Sequence, residues 1–327
     1  MIVTTFLALS LAAAAPLPRA SMPVSTYSIV ARDATTGELG VAVQSHWFSV
    51  GAMVPWAESG VGAVATQSFV EPSYGPKGLE AMRRGSSPDD ALKALVAHDP
   101  HPEGRQVAFV DAQGRAAAYT GPGCIPAAGH RTGAGYSVQA NLMLSKEVPD
   151  AMAAAFERAE GPLAERMLAA LEAAQAVGGD IRGKQSAAIL VVRAKPSERP
   201  WTDRLVDLRI EDHADPLGEM RRILTLHRAY ARMNRGDDAV AAGKMDEALR
   251  EYSAAQVMVP GNDEFVFWTA VTLVQNGKTD DALPMFAKAF RMNPSWMILV
   301  PRLTGIGQLP NDAKLVERLL AVGPKAE

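Results

Sequence analysis

The stretch from Thr26 to Ser45, TYSIVARDATTGELGVAVQS, constrains this chain most, because it reads as a β-hairpin without a face suited to water. Two runs rich in Val, Ile and Tyr, Thr26–Arg32 and Leu39–Gln44, flank Asp33-Ala34-Thr35-Thr36-Gly37, whose Asp, Thr and Gly supply turn chemistry and a permitted positive φ. Tyr27, Ile29 and Ala31 alternate with Ser28 and Val30. The return run Gly40-Val41-Ala42-Val43 is apolar on both sides, the pattern of a strand held between two layers.

Further strands are expected over Val61–Ser68, Gln106–Val110, Arg115–Thr120, Tyr136–Leu144 and Ser186–Arg193. Helices are expected from Pro76 to Gly85, from Ser87 to just before Pro100, and over Pro149–Glu160 and Pro162–Val177. Ser87 is an N-cap with Pro88 at N1 and Asp90 at N3. Strands and helices therefore come in groups. Grouping argues against a singly alternating parallel sheet and fits two sheets face to face with a helix pair outside each.

Lys195-Pro196-Ser197-Glu198-Arg199-Pro200 is polar and punctuated by proline, so residues 195–216 are read as a linker between domains at 25–194 and 217–327. The tail repeats itself. Gly243 and Gly277, Asp246 and Asp280, Ala248 and Ala282, Leu249 and Leu283, and Pro260 and Pro294 each recur 34 residues apart, the tetratricopeptide period. Leu217–Tyr230 and the helices of Trp296–Val322 are expected as caps on two repeats. Phe265, Trp268, Thr269 and Thr272 are expected to line a small groove for a protein partner, with self-association of the chain or cover for the first domain as other uses of the same helices.

The length, 327 residues, accommodates both domains, and 48% hydrophobic with 21% charged residues is ordinary for a soluble globular protein. A net charge of −3 provides no basic field and points away from nucleic acid. The single cysteine, Cys124, has no thiol to pair with and reads as an incidental small residue. His98-Asp99-Pro100-His101 has donors close together, but its proline keeps two imidazoles off one helical face, so neither metal nor cofactor is expected. The apolar run Ile2–Ala15, followed by Pro16-Leu17-Pro18, is too short to span a bilayer, and residues 1–20 are read as a signal peptide. Export to the periplasm or beyond follows, with no membrane span in the mature protein. A true start at Met22 would instead leave the protein in the cytoplasm.

The segments STYSIVARD…TGELGVAVQS, VGAVATQSFVEPSYGP, CIPAAGHRTGAGYSVQANLM and GGDIRGKQSAAILVV, in that order, resemble a bacterial family of unknown function placed in the N-terminal-nucleophile (Ntn) hydrolase superfamily. The resemblance covers Ser25 to Arg193. It implies a four-layer αββα sandwich and, as nucleophile, a Thr, Ser or Cys at the mature N-terminus where the first strand begins. That residue is Thr26, although a β-branched Thr is favoured at the start of a buried strand in any case. When the nucleophile heads the chain its own α-amine, with a pKa of about 8, serves as the base.

The remaining candidates surround it. The glycine-rich loop from Gly121 to Gly135 contains Gly129, His130 and Arg131, offers backbone amides to an oxyanion, and leads into Gln139 and Asn141. Gln67, Ser68, Tyr74 and Gln185 fall at or near strand ends, where they either line a cleft or satisfy loop backbone. Lys184 resembles the lysine that some Ntn enzymes hold near the nucleophile. The candidate catalytic set is Thr26, His130, Asn141 and Lys184, and the ligand-binding set is Gln67, Ser68, Tyr74, Gly129, Arg131, Gln139 and Gln185. Two functions are expected to compete: hydrolysis of a small amide or peptide-like substrate, and a non-catalytic binding scaffold on the same fold.

Overall fold

The computed structural model describes residues 26–324, so the expected signal peptide and the alternative start at Met22 lie outside the described residues. The chain is of mixed α and β class, with antiparallel sheets followed by a helical region, and it divides into two compact units, the second beginning at Leu217.

In the first unit a six-stranded sheet contains β1 (Thr26–Arg32), β2 (Leu39–Ser45), β7 (Gly129–Gly133), β8 (Tyr136–Ala140), β9 (Ser186–Val192) and β10 (Arg204–Ile210), in the order β10-β9-β2-β1-β8-β7. A four-stranded sheet contains β3 (Pro55–Glu58), β4 (Gly62–Ser68), β5 (Arg105–Asp111) and β6 (Ala116–Thr120), in sequence order. The hairpin forms as its pattern requires, with Val30 opposite Val41 and Asp33 Oδ1 accepting from Thr35 N and Thr36 N in the turn.

Burial follows the period of two. Val30, Leu39, Val41, Val43, Ala188, Leu190 and Val192 from the larger sheet meet Ala63, Ala65, Ala108 and Val110 from the smaller in one apolar cluster between the sheets. On the far side of the smaller sheet, Val64, Val107 and Phe109 pack against α1 (Tyr74–Arg83) and α2 (Pro88–His98) through Leu79, Met82 and Leu92. Ser87 caps α2 by accepting from Asp90 N at 3.1 Å. Helices α3 (Val148–Arg158) and α4 (Leu163–Ala176) cover the larger sheet, with Phe156 5.0 Å from Tyr136 and Met167 packed so tightly on Gly40 that a side chain there would collide with it.

Three strands fall where the sequence pattern hides them. β3 occupies a segment that reads only as mixed aromatic. β7 lies inside the glycine-rich loop because it is an edge strand whose residues stay largely exposed, and its backbone pairing to β8 rather than a buried face defines it. β10 occupies part of the stretch expected as a linker: Val206, Leu208 and Ile210 alternate with the exposed Asp207 and Arg209 and pair with β9. The strand expected over Tyr136–Leu144 stops at Ala140, since Leu142 takes φ +58°.

The second unit contains α5 (Pro216–Ala241), α6 (Met245–Met258), α7 (Asp263–Gln275), α8 (Thr279–Met292), α9 (Ser295–Thr304) and α10 (Ala313–Leu320). Residues 34 apart are structurally equivalent: Ala248, Tyr252 and Ala255 of α6 are buried as are Ala282, Phe286 and Ala289 of α8, and Gly243 and Gly277 take φ +72° and +76°. Leu217–Tyr230, expected as a separate cap, is the first half of the 26-residue α5. Phe265 and Thr269 do not line a groove. Both are buried, with Thr269 Oγ1 donating to Phe265 O and accepting from Gln256 Nε2. Among the described residues no helix is long and apolar enough to cross a membrane.

Candidate functional site

The layer between the sheets changes character along its length. Its apolar cluster fills the half nearer the Asp33 turn, and towards the other end the inward-facing residue of one strand after another becomes polar. On β1 the inward series runs Val30, Ser28, Thr26; on β2, Val41, Val43, Ser45; on β4, Ala63, Ala65, Gln67; on β5, Val110, Ala108, Gln106. Thr120 ends β6, Ser186 begins β9, and Asn141 follows β8 at the same end. Thr26, Ser28, Ser45, Gln67, Gln106, Gln139, Asn141 and Ser186 are all fully buried.

Burying so many polar groups is costly unless each finds a partner, and here they find one another. Thr26 Oγ1 donates to Ser45 Oγ at 3.1 Å. The Thr26 carbonyl oxygen accepts from Asn141 N at 3.1 Å, Gln67 Nε2 at 3.2 Å and Asn141 Nδ2 at 3.4 Å. Gln106 Oε1 accepts from Gln67 Nε2 at 2.7 Å and Asn141 Nδ2 at 2.8 Å. On the other side, Gln106 Nε2 faces Ala140 O and Thr120 Oγ1, both at 2.9 Å, and Gly129 O at 3.2 Å. Ser28 receives Gln139 Nε2 at 2.5 Å and donates to Gln67 Oε1 at 2.7 Å.

Backbone carbonyls fix the direction of this network. Ala140 O and Gly129 O can only accept, so Gln106 must turn its NH2 towards them and its oxygen towards Gln67 and Asn141. Beyond Gln106, Thr120 Oγ1 shares a hydrogen bond with His130 Nδ1 at 2.8 Å, in which the hydroxyl can donate or accept. Protein packed around the His130 ring holds the imidazole below its ordinary pKa although the residue is exposed.

Thr26, Gln67, Gln139 and Asn141 are thus brought together, with Gly129 contributing a carbonyl and His130 connected through Thr120 and Gln106. The other candidates turn elsewhere. Lys184 Nζ pairs with Asp215 at 2.8 Å, and Gln185 Nε2 donates to Asp212 at 3.1 Å. Arg131 points to the carboxylates of Asp150 and Glu157 on α3, at 3.4 and 3.7 Å. Tyr74 OH donates to Asp99 at 3.0 Å, and burial together with that carboxylate pushes the phenol up. Tyr74 lines a separate cleft of about 380 Å3 with Lys77, His98, Asp99 and Arg105. Cys124 is buried with its thiol pushed up by burial, so it holds little thiolate.

Gln106, Ser28, Ser45 and Thr120 belong to the network but not to the candidate set. Their signal was available as a polar residue closing an alternating apolar strand, most plainly in Gln106-Val107-Ala108-Phe109-Val110. Two non-glycine residues adjoining the cluster, Ser68 (φ +69°) and Leu142 (φ +58°), adopt left-handed backbone directly after Gln67 and Asn141. Such conformations cost about 1 kcal/mol or more and concentrate at functional sites. Among the described residues no group of three or more His, Cys, Asp or Glu side chains is arranged to hold a metal ion.

Comparison with known proteins gives a family but no activity. The family model of DUF1028, a family of unknown function, matches residues 26–220. A crystal structure of a DUF1028 protein from Silicibacter pomeroyi is similar over 61% of this chain and 88% of its own, at 31% identity and a TM-score of 0.55. No curated protein matches the chain.

Proposed function

Because the chain belongs to the DUF1028 family, whose function is unknown, we propose that its first unit is an Ntn-type αββα domain that hydrolyses a small amide or peptide-like substrate with Thr26 as nucleophile. The observation that carries this reading is the polar end of the intersheet layer, with Thr26 at the start of β1, its hydroxyl on Ser45 and its carbonyl oxygen held by Gln67 and Asn141. In the proposed reaction Thr26 Oγ1 bonds to the substrate carbonyl carbon while the α-amine takes the hydroxyl proton. The C–N bond then breaks, the departing nitrogen takes that proton, and water hydrolyses the acyl ester to restore Thr26. The α-amine is required because Lys184 is committed to Asp215 and His130 reaches the cluster only through Thr120. Maturation must therefore expose Thr26, in keeping with an exported precursor.

The helical unit is proposed to be tetratricopeptide-like, from its 34-residue equivalence, and to hold a protein partner or a second copy of the chain. A second reading, a non-catalytic scaffold, is favoured by the complete burial of Thr26 within a largely self-satisfied network.

One experiment separates the two. The N-terminal mass of the purified protein is measured, and wild type and Thr26→Ala are incubated with an amide and dipeptide library. A chain starting at Thr26, with turnover lost in the variant, supports the hydrolase. Turnover that survives the substitution removes Thr26 as nucleophile, and no turnover by either protein favours the scaffold.

A further inference from the structure

One atom of the buried network, Asn141 Oδ1, has no partner among the described residues, and the same residue bonds the Thr26 carbonyl oxygen through its backbone N and its Nδ2. Asn141 is fully buried, and its Oδ1 accepts no hydrogen bond. Rotating the amide by 180° does not help, because Nδ2 lies between two acceptors, Thr26 O at 3.4 Å and Gln106 Oε1 at 2.8 Å. Gln106 is itself fixed by the carbonyls of Gly129 and Ala140. Asn141 Oδ1 is therefore locked as an acceptor, and both hydrogens of its Nδ2 are engaged, so Asn141 is not a donor to an oxyanion. An unsatisfied buried acceptor is costly unless something completes it. The left-handed backbone of Leu142, the next residue, marks the same place as one where the fold accepts strain.

We infer that Asn141 Oδ1 receives the N–H of the substrate's scissile amide, so that the site takes amides carrying a hydrogen on nitrogen and rejects esters and tertiary amides. This rests on the hydrolase reading. An ester would set its oxygen against Asn141 Oδ1, two acceptors facing each other, and an N-alkyl group would occupy the space of the hydrogen bond.

The test compares alanine anilide, alanine N-methylanilide and alanine phenyl ester on the full-length protein, with wild type, Asn141→Ala and Thr26→Ala. Truncating Asn141 leaves little else unpaired: Gln106 Oε1 keeps Gln67 Nε2, and Thr26 O keeps Asn141 N and Gln67 Nε2. Turnover of the ester by Asn141→Ala also reports that the variant is folded. The expected result is that the anilide-to-ester ratio of kcat/KM falls by about tenfold or more in Asn141→Ala, and that wild type does not cleave the N-methylanilide. A ratio unchanged within about twofold, with turnover still dependent on Thr26, overturns the role of Asn141 and leaves the nucleophile standing. Turnover of neither anilide nor ester by wild type overturns the hydrolase reading and this inference together.

Discussion

Asn141 Nδ2, on the residue that follows β8 of the larger sheet, lies 2.8 Å from Gln106 Oε1 on β5 of the smaller, so the polar end of the first unit's intersheet layer is joined by side-chain hydrogen bonds where the other end is joined by apolar contact. Such a network favours one relative setting of the two sheets, because a slip leaves buried donors facing nothing.

Gln106 should therefore be the most sensitive residue of the network. Gln106→Leu removes the acceptor of Gln67 and Asn141 and a donor to Thr120, and is expected to cost roughly 3 kcal/mol in urea unfolding of the first unit. Gln106→Glu keeps the shape but turns a carboxylate towards Gly129 O and Ala140 O, so it should be at least as harmful at neutral pH. A Gln106→Leu variant as stable as wild type would contradict the assigned bond directions.

His130 has its pKa held below the ordinary imidazole value by the protein around its ring, so its neutral form is the one the fold favours. In the unfolded chain it titrates at about 6.5. As pH falls through that value the unfolded state takes up the proton first, and stability declines until the folded pKa is passed. His130→Gln should flatten this part of the profile of urea midpoint against pH. A profile that keeps its slope would show that other groups cause it.

How much of this was legible in the sequence depends on which residues carried a pattern. The hairpin from Thr26 and the Ser87 cap were readable because turn and capping chemistry is local. β7 and β10 were not, since an exposed edge strand among glycines and a charged strand beside prolines carry no apolar run, and pairing partners distant in sequence decide them. The site divided in the same way. Thr26 was singled out by the family resemblance, and Gln139 and Asn141 by the glycine-rich loop that leads into them. Gln67 and Gln185 were named on the same ground, as polar residues at strand ends, yet only Gln67 turns into the network, because the partners of Gln185, like those of Lys184 and Arg131, are long-range and carry no local signal.

Asp99 should matter to folding near neutrality. Burial opposes its charge, but Arg105, the His101 amide and Tyr74 together hold its carboxyl below the usual range. A carboxylate lowered in this way contributes stability above its unfolded pKa of about 4, and the contribution is lost as pH falls through the folded value. Asp99→Asn should thus destabilise by roughly 3 kcal/mol at pH 7, because it leaves the mostly buried Arg105 without its counter-charge. Wild type and variant should converge near the acid end of the titration, and a gap independent of pH would point to packing instead.

The 34-residue equivalence makes a prediction about three glycines. Gly243 and Gly277 take positive φ, and nothing lies within 4 Å of where a Cβ would sit on either, so alanine at each meets only a backbone penalty of about 1 kcal/mol. Asparagine, which tolerates that conformation better, should cost less at both. Gly236 lies inside α5, where alanine would ordinarily favour the helix by about 1 kcal/mol, but its Cβ would stand 2.2 Å from the Tyr252 ring. The collision outweighs the propensity, and Gly236→Ala should be the worst of the three, by roughly 2 kcal/mol or more. Hydrogen exchange of the α6 and α8 amides distinguishes these effects: Gly243→Ala and Gly277→Ala should accelerate exchange by similar factors, and Gly236→Ala should accelerate it most, in α6. If Gly236→Ala slowed exchange in α6, the close approach of Gly236 to Tyr252 would be wrong, and with it the packing of α5 on α6.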